Sequence, residues 1–168
     1  MQVFKAILFI FVLSSCQAQS EKYKSMDSSK WNTLNEEERR VIIDKGTEYP
    51  FTGEYTNLKD SGVYHCKQCD LALFESSTKF NSGSGWPSFD DAISGAVQEI
   101  SDSDGRRIEI VCSNCEGHLG HVFKGEGMTE KSTRHCVNSV SLNFEAAQGN
   151  VIKEVAYFAS GCFWGTEY

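Results

Sequence analysis

The feature that most constrains this chain is a pair of CxxC knuckles, Cys66-Lys67-Gln68-Cys69 and Cys112-Ser113-Asn114-Cys115. Each knuckle offers two thiolates to one tetrahedral ion, and together they complete a four-cysteine site. Such a shell is closed, with no position left for water, so zinc held there is structural. Forty-two residues lie between the knuckles, more than in a small zinc ribbon. A fold that joins them must staple two distant hairpins of a larger domain. Two disulfides, favoured in an exported chain, and a redox CxxC pair are the alternative readings of these cysteines. Paired knuckles that are each flanked by strand fit zinc better.

The remaining pattern is that of a mainly β domain. A chain of 168 residues suffices for one domain with a real core. Aromatic content of 12% and only two prolines suit a compact, turn-rich domain and not a disordered one. The net charge of -7 argues against nucleic acid or an anionic membrane surface as a partner. Trp31 to Lys45 reads as a helix, capped by Asn32 or Thr33 and stopped by Gly46. Expected strands are Gly62–Cys66, Ala72–Glu75, Val97–Ile100, Arg106–Cys112, His121–Lys124 and Val137–Phe144. In the last, Val140, Leu142 and Phe144 alternate with Ser139, Ser141 and Asn143, the pattern of a half-buried strand. Gly, Asp and Asn turns between strands predict antiparallel pairing. The expected fold is two antiparallel sheets with a short N-terminal helix, stapled by the four-cysteine zinc site.

The ends read differently. Residues 1–19 hold the unbroken apolar run Ala6 to Leu13, too short to span a bilayer and suited to a signal peptide. Leu13-Ser14-Ser15-Cys16 resembles a bacterial lipobox, which predicts lipidation at Cys16; ordinary export with cleavage after Ala18 is the alternative. Residues 20–30 are a polar tether, 31–147 the folded domain, and 148–168 a separate segment. There is no internal repeat. The expected location is the periplasm or a bacterial membrane surface, with the membrane touched only through the lipid anchor. A monomer is expected.

The candidate for chemistry is Cys136. It sits in Arg134-His135-Cys136-Val137-Asn138-Ser139, shortly after Gly117-His118-Leu119-Gly120-His121. A cysteine is nucleophilic only as thiolate, and a nearby cation or His favours that form. The other cysteines have separate work: four for zinc, Cys16 for the anchor, and Cys162 beyond the domain. A Gly-rich loop, Lys79 to Phe89, ends in an aromatic pair, with Trp86 held extended before Pro87. Taken singly these features are ordinary. A loop Trp usually packs, Arg134 would be a surface charge, and the His pair lacks an acid or third His nearby in sequence.

Together they resemble the B-type methionine sulfoxide reductases, which reduce the R epimer of methionine sulfoxide. The matching segments are Gly46-Thr47-Glu48-Tyr49-Pro50-Phe51-Thr52-Gly53, Gly85-Trp86-Pro87-Ser88-Phe89, both knuckles, His118-Leu119-Gly120-His121-Val122-Phe123, and Arg134 to Ser139. The resemblance covers about residues 31–145. It implies that Cys136 attacks the sulfoxide sulfur and is left as sulfenic acid while methionine is released. It implies that His118 and His121 orient the oxygen and handle the protons it needs to leave. Arg134 supports the thiolate, Trp86 walls the S-methyl group, and Asn138 flanks the substrate. Methionine sulfoxide-containing proteins are the implied substrates and a thioredoxin-like protein the implied reductant.

Three positions depart from the family pattern. Many members carry a resolving cysteine where this chain has Ser84, so an external thiol is expected to reduce Cys136. Gly125 stands where many relatives have an acid, followed by Glu126. His135 replaces a commoner Tyr. Finally, Val155 to Tyr168 contains Gly161-Cys162-Phe163-Trp164-Gly165, which resembles the opening of an A-type reductase cut short. A non-catalytic zinc-stapled binder would need none of Cys136, His118, His121 and Arg134. A zinc hydrolase would need an open coordination position.

Overall fold

The computed structural model describes residues 28–101, 105 and 107–147. The signal-like segment, Cys16, most of the tether, Arg106 and the tail with Cys162 lie outside them.

One helix opens the domain. Helix α1 spans Glu36–Ile42, shorter than the sequence suggests. Its cap is Asn35, not Asn32 or Thr33: the Asn35 side chain accepts from the Glu38 N–H, and Glu38 returns a bond to the Asn35 N–H. Asn32 is claimed elsewhere. Its N–H donates to the Gln68 carbonyl and its amide to Lys67 and Asp70, which tie the preceding segment to the first knuckle. The helix ends at Ile42, with its C-cap at Ile43, ahead of the expected stop at Gly46; the Gly46 N–H bonds the Arg40 carbonyl, and Lys45 before it is left-handed, with φ 56°. The helix buries Val41 and Ile42.

Nine strands follow among the described residues: β1 Gly62–Cys66, β2 Ala72–Glu75, β3 Lys79–Phe80, β4 Ser88–Phe89, β5 Val97–Ser101, β6 Ile108–Cys112, β7 His118–Lys124, β8 Thr133–Val137 and β9 Leu142–Ala146. Two antiparallel sheets form, one ordered β2-β1-β9 and one β3-β4-β8-β7-β6-β5. β1 and β2 have the expected bounds, and β6 and β7 differ at their starts. The expected strand Val137–Phe144 does not exist as one element. β8 ends at Val137, a 3-10 turn occupies Ser139–Ser141, and β9 begins at Leu142 in the other sheet. The serines, not Val140, are buried there. The Ser139 hydroxyl accepts from the Tyr55 N–H, and that of Ser141 donates to the His118 carbonyl. Alternation is misleading where polar side chains bury by satisfying backbone groups.

The core is aromatic. Phe74 and Phe89 stack with centroids 4.4 Å apart, and Tyr64 meets Phe89 edge-on at 5.0 Å. Leu73, Ile110, Leu119, Val137 and Leu142 complete it. Burial at these positions is worth roughly 1.5–3 kcal/mol per large side chain. His135 belongs to this interior: it is buried beside Phe74, and its Nδ1–H donates to the Phe89 carbonyl.

Candidate functional site

The two knuckles meet. Cys66 ends β1 and Cys112 ends β6, and the second cysteine of each pair lies in the turn that follows. The turns are built alike. The residue after each second cysteine, Asp70 or Glu116, is left-handed (φ 56° and 59°) and donates its N–H to the first cysteine's carbonyl. The four sulfurs all lie within 4.8 Å of one another, with Cys66–Cys115 and Cys69–Cys112 at 3.5 Å. A disulfide needs about 2.05 Å, so the arrangement is not that of two disulfides. Four bonds of about 2.3 Å in a tetrahedron put sulfurs about 3.8 Å apart. The donor set therefore fits a metal ion, and it joins the β1–β2 hairpin of one sheet to the β6–β7 hairpin of the other.

Cys136 lies in a row that crosses the larger sheet. Register places Ser88 of β4 against Cys136 of β8, Cys136 against His121 of β7, and His121 against Glu109 of β6. Residues opposite each other share a face. Two residues along β8, Arg134 lies on the same face and Phe123 stands opposite it. The Arg134 guanidinium covers the Phe123 ring at 4.3 Å.

In a regular strand His118 and His121, three apart, would point to opposite faces. The register between β6 and β7 slips between Ile110 and Val111, so that Val111 pairs His118 while Ile110 pairs Gly120. That bulge adds one residue and reverses the parity. The two imidazoles consequently meet, centroids 5.6 Å apart. Gly120 makes the bulge tolerable. Its φ is +155°, and a Cβ there would sit 2.0 Å from the Cys136 carbonyl oxygen.

Three acids that sequence reading did not assign complete the site. Glu109 accepts from His118 Nδ1 at 2.8 Å and from Lys45 at 2.9 Å, with its side chain 8% exposed. An acid thus does stand beside the His pair. Burial opposes ionisation of Glu109, but Lys45 and His118 outweigh it and hold the carboxyl below its ordinary value. Burial pushes the His118 imidazole down, against the pull of Glu109. Glu126 binds Arg134 through two bonds of 2.7 and 2.9 Å. It is the residue after Gly125, where many relatives carry an acid. Glu48 is buried and bonds three segments around Trp86 and Asn138.

Cys136 is half-buried, and burial pushes its thiol up. Arg134 and Ser84 pull the other way without prevailing. The Arg134 guanidinium is shared: it favours the Cys136 thiolate while Glu126, bonded to it, acts in the opposite direction. The Ser84 hydroxyl is 3.9 Å from the Cys136 sulfur, and Ser82 links Ser84 to the buried Ser88 at 2.8 and 2.7 Å. A thiol at position 84 would face Cys136, and a hydroxyl stands there instead.

The Gly-rich loop reaches the same place. Val137 donates to the Pro87 carbonyl, which sets Trp86 and Pro87 beside the end of β8. Trp86 is half-buried, its indole N–H on the Glu48 carbonyl. Asn138 is 3% exposed, and its amide braces backbone at both ends, donating to Leu119 and accepting from Glu48. Phe51, 70% exposed, lies against Gly85, whose carbonyl accepts its N–H. The structure thus places Cys136 and Arg134 on β8 with His121 across from Cys136 and His118 against His121, and it holds Trp86 and Asn138 on the Glu48 main chain beside the end of that strand. Cys16 lies outside the described residues.

Residues 34–146 match the SelR domain. Peptide methionine sulfoxide reductase B3 of Arabidopsis thaliana is 56% identical over 119 residues, 70% of this chain and 68% of that protein. The chloroplastic B2 protein of the same plant is 56% identical over 112 residues, 66% of this chain and 55% of that protein. Peptide methionine sulfoxide reductase B5 of Oryza sativa subsp. japonica is 50% identical over 126 residues, 74% of this chain and 93% of that protein. The chain therefore spans between about half and nearly all of the length of these relatives. The Mis18 Yippee-like domain aligns with a TM-score of 0.42 at 16% identity over 53% of this chain and 99% of that one, too low to bear on the fold.

Proposed function

The chain belongs to the SelR family, and on that premise we propose that it is a B-type peptide methionine sulfoxide reductase acting on the R epimer in oxidised proteins. The observation that carries this reading is the cross-strand row of Cys136, His121 and Glu109, with His118 turned into it by the β7 bulge.

The Cys136 thiolate attacks the sulfoxide sulfur. Two protons carry the oxygen away as water, leaving an S–S bond to a sulfonium. Water then attacks the Cys136 sulfur, methionine leaves with the bonding pair, and one proton is released. The enzyme is left as sulfenic acid. One external thiol converts this to a mixed disulfide with loss of water, and a second releases Cys136. A thioredoxin-like dithiol supplies both.

His121, directly across from Cys136, is the proton donor in this scheme. Its partner His118 gives its Nδ1–H to Glu109, which leaves Nε2 to accept from the oxygen once His121 has protonated it and it departs as hydroxyl and then water. Trp86 forms the wall for the S-methyl group, and Asn138 braces that wall to β8. The four cysteines hold zinc, which contributes folding free energy and takes no part in the chemistry. Residues 1–19 direct export, with Cys16 as the lipid attachment point, so the substrates are exported or surface proteins.

The test is turnover of separate R and S epimers of a blocked methionine sulfoxide with dithiothreitol, followed by chromatography of the product. R-only turnover that disappears in Cys136→Ser, with fold and zinc intact, is expected. Turnover of the S epimer, or activity surviving in Cys136→Ser, sinks the reading.

A further inference from the structure

We infer that Glu48 is a positioning residue that holds the sulfoxide pocket in register with Cys136, an inference that rests on the reductase reading above. Glu48 lies in the loop between α1 and β1 and is 7% exposed. Its main chain holds both pocket residues. The Glu48 N–H donates to Asn138 Oδ1 at 3.0 Å, and its carbonyl accepts the Trp86 indole N–H at 3.0 Å. Its side chain anchors that main chain. The carboxylate accepts the Ser139 N–H at 2.7 Å and is bonded also by the Val140 N–H. These donors open the 3-10 turn that directly follows β8. One residue therefore ties the Trp86 loop, the end of the Cys136 strand and the turn behind it.

The neighbourhood is shaped around this carboxylate. A Cβ at Gly53 would lie 3.0 Å from Glu48 Oε2 and 2.5 Å from the Ser139 Cβ, so only bare backbone leaves room. Removing the carboxylate would leave the Ser139 N–H buried without its partner. The loop would then relax, and Trp86 and Asn138 would move with it relative to Cys136. Trp86 and Asn138 line the pocket and do not react, so their displacement falls mainly on substrate binding and therefore on KM.

The test compares wild type, Glu48→Asp, Glu48→Gln and Glu48→Ala as full chains. Kinetics use blocked methionine-R-sulfoxide with dithiothreitol. Exchange of the Trp86 indole N–H is followed by NMR without substrate, and zinc content and thermal midpoint report the fold. Glu48→Ala is expected to raise KM about tenfold, with a smaller fall in kcat, and to quicken indole exchange about tenfold. Glu48→Gln keeps one acceptor oxygen and is expected to recover much of both. Unchanged KM and indole exchange in Glu48→Ala overturn the inference. So does a loss confined to thermal midpoint and active fraction, the outcome of a merely structural role. If Glu48→Ala does not fold, Glu48→Asp, whose shorter side chain withdraws the carboxylate from the Ser139 N–H, decides: a raised KM with faster exchange supports the inference, and no change in either refutes it. Wild type inactive on both epimers would defeat the reductase reading, while indole exchange still reports whether Glu48 holds Trp86.

Discussion

Gly120→Ala isolates the closeness of β7 and β8 that the site requires. Gly120 pairs with Val137, at the point where β7 turns His118 and His121 to one side. A methyl group there would sit 2.0 Å from the Cys136 carbonyl oxygen, 3.0 Å from its carbonyl carbon and 3.1 Å from the Val137 Cα. These are backbone atoms, with no side-chain rotation to relieve them. Ordinary contact begins at 3.4 Å, so β8 must retreat by about 1.4 Å or the bulge must rebuild. A φ of +155° adds roughly 1–3 kcal/mol of strain for a residue with a side chain. A shift above 1 Å at the nucleophile is worth about 100-fold in rate. Gly120→Ala is therefore expected to lose about 100-fold in kcat/KM and several degrees in thermal midpoint. Steady-state kinetics on the R epimer, a thermal melt and bound-metal analysis measure these together. A variant with the wild-type rate and melting point would refute the reasoning, since the packing would not depend on bare backbone. A folded variant with full metal content and wild-type kcat/KM would refute the functional half alone.

The remaining predictions concern the thiol, the reductant and the metal. Because burial raises the Cys136 thiol, thiolate forms only as pH climbs through that raised value. The rate of iodoacetamide alkylation at Cys136 should then have its midpoint above the ordinary cysteine value of about 8.5. Glu126→Gln frees Arg134 and should lower that midpoint; an unchanged or higher midpoint would count against the Arg134–Glu126 account. Ser84→Cys places a thiol where the hydroxyl lies 3.9 Å from the Cys136 sulfur. Mass spectrometry after one turnover without reductant should find a disulfide between positions 84 and 136, and persistent sulfenic acid would contradict the geometry. Chelation at neutral pH should unfold the domain, since a four-cysteine zinc site is worth on the order of 10 kcal/mol. A cooperative melt unchanged after complete metal removal would argue against the staple.

What the sequence determined by itself is the local chemistry. Paired CxxC knuckles favour one shared ion over disulfides or a redox pair, and the four cysteines do converge. β1 and β2 were legible because turn residues bound each short run and the two pair with each other as one hairpin. The motifs around Cys136, His118, His121, Arg134, Trp86 and Asn138 were also legible, because each is a short contiguous string.

What only the tertiary structure decided is how these strings face one another. The cap of α1 is Asn35 because Asn32, equally suited by type, is engaged by the first knuckle. The segment Val137–Phe144 divides between two sheets because buried Ser139 and Ser141 satisfy backbone groups that no alternation rule records. His118 and His121 share a face through a bulge whose cause, the approach of Gly120 to Cys136, lies on another strand. Glu48, Glu109 and Glu126 carry no local mark that separates them from solvated acids. Each is assigned by a partner in another element: Ser139, His118 and Arg134. Local composition sets which reactive groups a chain owns. Register, bulge and burial set which of them touch, and these depend on atoms far away along the chain.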